Sequence, residues 1–125
     1  MQQNTQVIYD SDSYADDLPY WETIETKKHL VIPYTLDNND MRFVTNQGFN
    51  SGEQFFNYLK DSFDCLYNEG EINPKMMSIG LHCRLIGRPG RMKSLIKFLD
   101  YVQKFKDVWI CKREEIADHW YKNYQ

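Results

Sequence analysis

The sequence predicts an α/β fold with parallel strands, and two observations lead to that prediction. Four short apolar runs, at residues 6–9, 30–34, 76–81 and 108–111, lack the polar alternation of a half-exposed strand. Such runs are typical of strands buried on both faces of a parallel sheet. From the second run onward they alternate with segments of helical periodicity, and right-handed crossovers turn this order into a parallel arrangement.

The intervening segments have the periodicity and the end signals of helices. In residues 51–70, Ser51 and Gln54 form a candidate capping box, and Gly70 is a candidate C-cap. One apolar face of this helix is formed by Phe55, Phe56, Leu59, Phe63, Leu66 and Tyr67. Further helices are predicted from near Gly90 and over 113–124. Residues 35–50 form a polar connection of the length that often carries function.

Composition limits the class of protein. The 125 residues are 42% hydrophobic and 26% charged, as expected for one domain, residues 1–125, with a core. The net charge of -3 predicts no nucleic-acid or membrane partner. We expect no secretion signal, because the first residues lack a basic region and an apolar region, and Cys65, Cys83 and Cys111 form no Cys-x-x-Cys zinc pair. We expect reduced, buried thiols in a cytoplasmic protein.

Polar side chains follow the predicted strands, and in parallel α/β folds chemistry lies beyond these strand ends. They include Asp10, Asp12, Tyr34, His82 and Arg84. His82 is either a core histidine bonded to a backbone carbonyl or a general acid/base. Its place at a strand end, with Asp10 and Asp12 at another, favours the acid/base role.

Three arginines follow His82 around a Gly-Arg-Pro-Gly turn: Arg84, Arg88 and Arg91. They can be interpreted in two ways: as a solvated loop, or as an anion site. The second alternative follows from the position of the guanidinium groups near the N-terminus of the helix that starts near Gly90. The residues alone leave both alternatives open.

Four stretches, "YDSDSYADDLPYW", "HLVIPYTLDNNDMRF", "SIGLHCRLIGRPGR" and "VWICKREEIADHW", resemble the C-terminal part of the allantoinase-like branch of the polysaccharide deacetylase (NodB homology) superfamily. The resemblance implies the C-terminal half of a distorted (β/α) barrel with parallel strands, incomplete on its own. It also implies a hydrolase of non-peptide C–N bonds. Allantoinases of this branch open the ring of allantoin to allantoate in purine catabolism, and they are described as metal-independent.

The resemblance also implies roles for individual residues. A family motif ends in a histidine that acts as the general acid, and "IGLH" gives this role to His82. The aspartate-rich stretch resembles the motif that orients this histidine, so Asp10 or Asp12 is expected to do so. The motifs for the base and for metal-binding histidines have no counterpart in these 125 residues. We therefore expect no metal or other cofactor, and no activity from this chain alone.

The expected substrate is a small cyclic ureide, with Arg84, Arg88, Arg91 and Tyr34 as substrate-binding residues. The alternatives are a chitin or peptidoglycan deacetylase acting on an N-acetyl sugar, a cyclic imide hydrolase, or a non-catalytic remnant or module. Because half a barrel has open sheet edges, we expect a homo-oligomer or a complementary N-terminal half as partner.

Overall fold

The computed structural model describes residues 7–124, which form two compact units. One unit contains the residues up to Tyr34 and those from Ile110 onward, and the other is Thr35–Trp109. The described residues contain strands β1 (Tyr9–Asp10), β2 (Tyr20–Ile24) and β3 (Lys27–Val31), a 3-10 helix (Asp40–Phe43), and helices α1 (Gly52–Gly70), α2 (Cys83–Ile86), α3 (Pro89–Val102) and α4 (Arg113–Asn123).

The first unit is built on a mixed three-stranded sheet in the order β1-β3-β2. Strand β1 pairs with β3 in parallel, with Tyr9 opposite Leu30. Strands β2 and β3 form an antiparallel hairpin, with Tyr20 opposite Val31. Leu30 and Val31 are buried, which explains why the sequence marks this strand as apolar.

Helix α4 is fastened to this sheet by side-chain bonds to the backbone. The Arg113 guanidinium donates to the carbonyl oxygens of Ile32, at 2.7 Å, and Pro33, at 3.2 Å. The Tyr121 hydroxyl donates to the Ile8 carbonyl at 2.9 Å. Arginine is suited to this task because its planar fork can serve several acceptors at once.

The second unit has an aromatic core between α1 and α3. Its fully packed members are Phe49, Phe55, Phe56, Leu59, Phe63, Ile86, Leu95, Phe98 and Val102. Ser51 caps α1 as predicted, since its Oγ accepts the Gln54 N–H at 3.3 Å, while Gln54 Oε1 accepts the Asn50 N–H. Gly70 is the last helical residue and Glu71 the C-cap, so the predicted glycine cap lies one residue too early.

The α/β class is confirmed, but two details of the predicted sheet are wrong. The strands are not all parallel, because β2, which was not predicted as a strand, pairs antiparallel with β3. Within residues 7–124, the runs at 76–81 and 108–111 form no strand beyond an isolated bridge at Gly80. An apolar run alone does not make a strand, because a strand also needs a neighbour to supply its hydrogen bonds.

The thiols also differ from the expectation. Cys65 and Cys83 are exposed and Cys111 is half-buried, all three as free cysteines, so the prediction of buried thiols is wrong for the first two. Partial burial, and then the charge of Glu115, raise the pKa of the Cys111 thiol. No helix in the described range 7–124 is long and apolar enough to cross a membrane.

Asp64, Lys60 and Tyr101 form a hydrogen-bonded network that links α1 to α3. Asp64 on α1 accepts hydrogen bonds from Lys60 at 2.5 Å and from the Tyr101 hydroxyl at 2.6 Å. Burial raises the pKa of Asp64, but the bonds from Lys60 and Tyr101, together with the Lys60 charge, outweigh burial and bring the pKa below its usual value. The hydrogen bond to Asp64 raises the pKa of Lys60 and that of Tyr101.

We expect the stabilising effect of Asp64 to depend on pH. Because the pKa of Asp64 is lower in the folded state, its contribution is present above the unfolded-state pKa of about 3.9 and is lost as the pH falls through the folded-state value. The difference in Tm between the wild type and Asp64→Asn should be largest at neutral pH and should close under acid conditions. Asp61→Asn, an exposed site on the same helix, is the control. A pH-independent difference would contradict this.

Helix α1 begins in close contact with α3. A Cβ on Gly52 would overlap the Ser94 Oγ and lie 2.9 Å from the Gly90 carbonyl oxygen. Gly70, at the other end of α1, has nothing within 4 Å of the same position. The two glycines of one helix therefore have opposite steric surroundings.

We expect Gly52→Ala to lower the free energy of unfolding by about 1–3 kcal/mol, the usual cost of overpacking. Gly70→Ala should be neutral or raise it by up to about 1 kcal/mol, because alanine favours helix where space is free. Urea unfolding of both variants checks the pair. Equal effects at the two positions would contradict the close packing of α1 on α3.

Candidate functional site

The second unit contains a fully buried carboxylate, Asp40, in the first turn of the 3-10 helix. Its Oδ2 accepts the backbone N–H groups of His82, at 2.7 Å, and Ile86, at 3.0 Å. Its Oδ1 lies 2.6 Å from Nδ1 of the His82 ring. A buried charge is tolerated when it is paired and hydrogen-bonded, and Asp40 meets both conditions.

The segment before the 3-10 helix places Asp40 beside the residues around His82. Asn39 forms a parallel bridge with Gly80, and its side-chain oxygen accepts the Met41 N–H at 2.9 Å. Asp40 follows this bridge by one residue and His82 by two. Both side chains therefore leave the paired backbone at the same end.

His82 presents one ring nitrogen outward. It is the N-cap residue of α2, and its carbonyl accepts the Leu85 N–H at 2.8 Å. Because an ionised carboxylate only accepts hydrogen bonds, the contact with Asp40 assigns the ring proton to Nδ1. The side chain is 33% exposed, and no residue in the described range hydrogen-bonds to Nε2. Nε2 is thus the nitrogen that can exchange a proton with a bound molecule.

The arrangement resembles the pair in which a buried aspartate holds a catalytic imidazole in one tautomer and orientation. The negative charge of Asp40 also stabilises the positive charge that the ring carries when Nε2 is protonated. Chemically, His82 is equipped to protonate a leaving group and to recover the proton from solvent.

The three arginines that follow His82 have different surroundings. Arg84 and Arg88 are exposed, on α2 and at the N-cap of α3 respectively. Arg91 is half-buried, with its guanidinium 4.7 Å from the centre of the Phe43 ring and donating to the Leu85 carbonyl at 3.3 Å. Arg91 thus fastens the turn after His82, while the other two extend toward solvent. An anion-binding role for the three remains a prediction.

The predicted residues of the first unit make other contacts. Asp10 Oδ2 lies 2.9 Å from His29 Nε2, and Asp10 Oδ1 accepts the N–H of Asp12, which is exposed. The Tyr34 ring packs edge-on against Tyr14.

The bond to His82 Nδ1, expected from Asp10 or Asp12, is made by Asp40 instead. The expectation rested on the resemblance of the aspartate-rich stretch to a family motif, whereas Asp40 is brought to His82 by the bridge between Asn39 and Gly80. Sequence reasoning marked residues 35–50 as a functional connection but did not single out Asp40. A catalytic role for Asp10 or Asp12 remains a prediction.

Within residues 7–124, no three His, Cys, Asp or Glu side chains lie close enough together to hold a metal ion. The described residues therefore do not by themselves fit a metal centre of the kind that deacetylases with metal-binding histidines would need.

Comparison with known proteins gives close relatives. A curated "Putative polysaccharide deacetylase" of Schizosaccharomyces pombe is 45% identical over 122 residues. Two solved structures, a probable polysaccharide deacetylase from Pseudomonas aeruginosa PAO1 and the PuuE allantoinase, are 63% and 58% identical, each with a TM-score of 0.90 over 94% of this chain. A putative polysaccharide deacetylase from Mycobacterium smegmatis, at 22% identity and a TM-score of 0.77 over 90% of the chain, shares the fold. No protein-family model matches.

The relatives are longer than this chain. The alignment with the S. pombe protein includes 90% of this chain but only 38% of that protein. The structural matches include 40% of the P. aeruginosa chain and 39% of the PuuE chain. The homologues and structural neighbours are thus polysaccharide deacetylases, including an allantoinase. The resemblance inferred from the sequence is confirmed.

We expect Asp40 and Asp10 to differ sharply in their effect on stability. Asp40→Asn should lower the free energy of unfolding by about 1.5–3 kcal/mol, because replacing a carboxylate oxygen with an amide nitrogen leaves a donor from His82 or Ile86 without its charged acceptor. Asp10→Asn removes a pair whose carboxylate is 41% exposed, and should cost about 1 kcal/mol or less. Urea unfolding at one pH compares the two. Equal losses would contradict a special role for Asp40.

Proposed function

We propose that this chain is the acid-bearing C-terminal part of a hydrolase of non-peptide C–N bonds, and that its substrate is allantoin. The observation that carries the proposal is the His82–Asp40 pair, with Nδ1 held at 2.6 Å and Nε2 directed away from the carboxylate. The similarity to the PuuE allantoinase, at 58% identity, supports the choice of substrate.

In the proposed reaction, a base supplied by the rest of the enzyme removes a proton from water. The water oxygen bonds to a ring carbonyl carbon of allantoin, and the C–N bond of the tetrahedral intermediate then breaks. His82, protonated on both ring nitrogens for this step, gives its Nε2 proton to the departing nitrogen, while Asp40 keeps the ring oriented and balances its positive charge. The single product is allantoate, in which the broken bond leaves a carboxylate at one end and a protonated ureido nitrogen at the other. No metal or other cofactor is assigned a step.

Ring opening creates a carboxylate, and we propose that the arginines after His82 receive it. Arg84 and Arg88 are exposed and lie at α2 and at the start of α3. A guanidinium can bind a carboxylate through two parallel hydrogen bonds. A neutral sugar polymer needs such a group much less, which favours the cyclic ureide. For Tyr34 we propose substrate binding, as predicted from the sequence, and for Asp10 or Asp12 a catalytic role other than orienting His82, since Asp40 makes that contact.

We propose further that residues 1–125 form one partial domain of a cytoplasmic (β/α) barrel, completed by a complementary N-terminal half or by other copies of the chain. The relatives have more than twice its length. Large apolar side chains are exposed, among them Leu81 at 47% and Ile110 at 62%. Exposed apolar side chains of this size are common where a partner packs.

A second candidate is deacetylation of an N-acetyl sugar, because the P. aeruginosa structure, at 63% identity, is described as a probable polysaccharide deacetylase. The same acid would serve, since amide hydrolysis also requires protonation of the leaving nitrogen. Cyclic imide hydrolysis is chemically equivalent to ring opening of a ureide. A non-catalytic remnant is the alternative of another class.

A chimera tests the proposal: residues 7–124 replace the equivalent segment of the PuuE allantoinase. We expect it to hydrolyse allantoin and not an N-acetylglucosamine oligomer, whereas the 125-residue chain alone should do neither. His82→Ala in the chimera should lower kcat by about 10²–10⁴-fold, the usual contribution of a general acid. His119→Ala, at an exposed histidine of α4, should leave the rate unchanged. Sugar deacetylation without allantoin turnover would support the second candidate. A folded chimera inactive on both substrates would contradict the proposal.

Arginine variants of the same chimera test the anion site. Replacing the arginine that binds the carboxylate with alanine should cost about 1.5–3 kcal/mol in kcat/KM, as for a charge-assisted bond. Lysine should restore only part of this, because it lacks the bidentate fork. Arg84, Arg88 and Arg91 are each replaced, and unfolding curves separate the packing role of Arg91. Unchanged kinetics in all three alanine variants would exclude an anion site.

A further inference from the structure

The backbone of Gly80 forms hydrogen bonds with the two residues that flank Asn39. The Asp40 N–H donates to the Gly80 carbonyl at 3.0 Å, and the Gly80 N–H donates to the Asn38 carbonyl at 2.8 Å. A third bond joins the same two segments, from the Thr35 hydroxyl to the Ser78 carbonyl at 3.1 Å. These bonds set the distance between the segment that carries Asp40 and the segment that carries His82.

The side chain of Asn39 lies against Gly80. A Cβ at position 80 would overlap the Asn39 Nδ2 and come within 2.6 Å of its Cγ. Such an approach is possible only where position 80 has no side chain, so any larger residue must push the two segments apart or move Asn39.

Asn39 is poorly able to move. It is buried, with 5% of its surface exposed, and its Oδ1 caps the 3-10 helix through the Met41 N–H at 2.9 Å. Its Nδ2 lies 3.5 Å from the Thr35 carbonyl. Rotating this side chain would uncap the helix that begins with Asp40. A Cβ at position 80 would therefore increase the distance between the segment that carries Asp40 and the segment that carries His82.

We infer that Gly80 and Asn39 are positioning residues for the His82–Asp40 pair. This inference rests on the proposed function of that pair as the acid of a hydrolase. Neither residue touches the reacting groups. Because position 80 has no side chain and Asn39 is fixed as the helix cap, the two segments stay close enough for Nδ1 of His82 to lie 2.6 Å from Asp40. A lengthened contact would release the ring from its single tautomer and orientation.

The test is a double-mutant cycle of Gly80→Ala and Asn39→Ala in the 125-residue chain, read by NMR of nitrogen-15-labelled histidine side chains. At mildly alkaline pH, the His82 signals of the wild type should show the Nδ1–H tautomer. Gly80→Ala should lower the fraction of that tautomer. Asn39→Ala/Gly80→Ala should match Asn39→Ala alone, because the overlapping side chain is gone. His29, bonded to Asp10, is the internal control and should not change.

Two results would overturn the inference: His82 signals in Gly80→Ala that equal those of the wild type, or a change that persists undiminished when Asn39 is alanine. If Gly80→Ala does not fold, the double variant should still fold as well as Asn39→Ala. A double variant that also unfolds would count against the inference. Thr35→Val removes the hydrogen bond to the Ser78 carbonyl without adding a steric overlap. It should lower the fraction of the Nδ1–H tautomer of His82 in a folded chain, and an unchanged fraction would also count against the inference.

Kinetics of Gly80→Ala in the PuuE chimera add a functional measurement. A misplaced acid should lower kcat by about 10²-fold with KM little changed, and Asn39→Ala/Gly80→Ala should again match Asn39→Ala alone. The NMR measurement needs no turnover. An inactive chimera with the expected NMR cycle would therefore contradict the proposed function alone, whereas an active chimera with unchanged His82 signals in Gly80→Ala would contradict the positioning role alone.

Discussion

The second unit depends on the burial of one carboxylate. Asp40 has no exposed surface, so its charge is acceptable only while the His82 and Ile86 amides and the His82 ring remain in place. These groups belong to a segment more than forty residues away. The carboxylate therefore joins distant parts of the chain. One oxygen contacts the imidazole, and the other accepts the two backbone N–H groups at the start and end of α2.

Aromatic packing carries this arrangement into the core. The Arg42 guanidinium contacts the rings of Phe49 and Tyr58, at 4.4 and 4.5 Å from their centres, and donates to the Asp37 carbonyl. Arg91 covers the Phe43 ring. The last two residues of the short helix that starts at Asp40, Arg42 and Phe43, are thus attached to the aromatic rings around α1. Guanidinium planes suit this because they stack on aromatic faces while keeping donors for carbonyl groups.

The sequence predicted the long helices well and the sheet poorly, for a physical reason. Helix α1 could be placed because its capping and periodicity are local, and His82 because it ends an apolar run. The hairpin of β2 and β3 was missed because Glu22, Lys27 and Lys28 conceal its alternation. Asp40 was missed because its partners are set by a single bridge at Gly80, and neither composition nor periodicity records which loop faces which. Pairing between distant segments is a property of the folded chain.

The burial of Asp40 also orders the events of folding. A carboxylate leaves water at a high cost in free energy until its donors are present, and all three donors depend on the turn from His82 to Ile86. That turn is held by Ile86, a member of the core between α1 and α3. The oriented imidazole therefore cannot form early as an isolated loop. We expect it to form in the same cooperative step that closes the aromatic core, so that partly folded chains lack the His82–Asp40 pair.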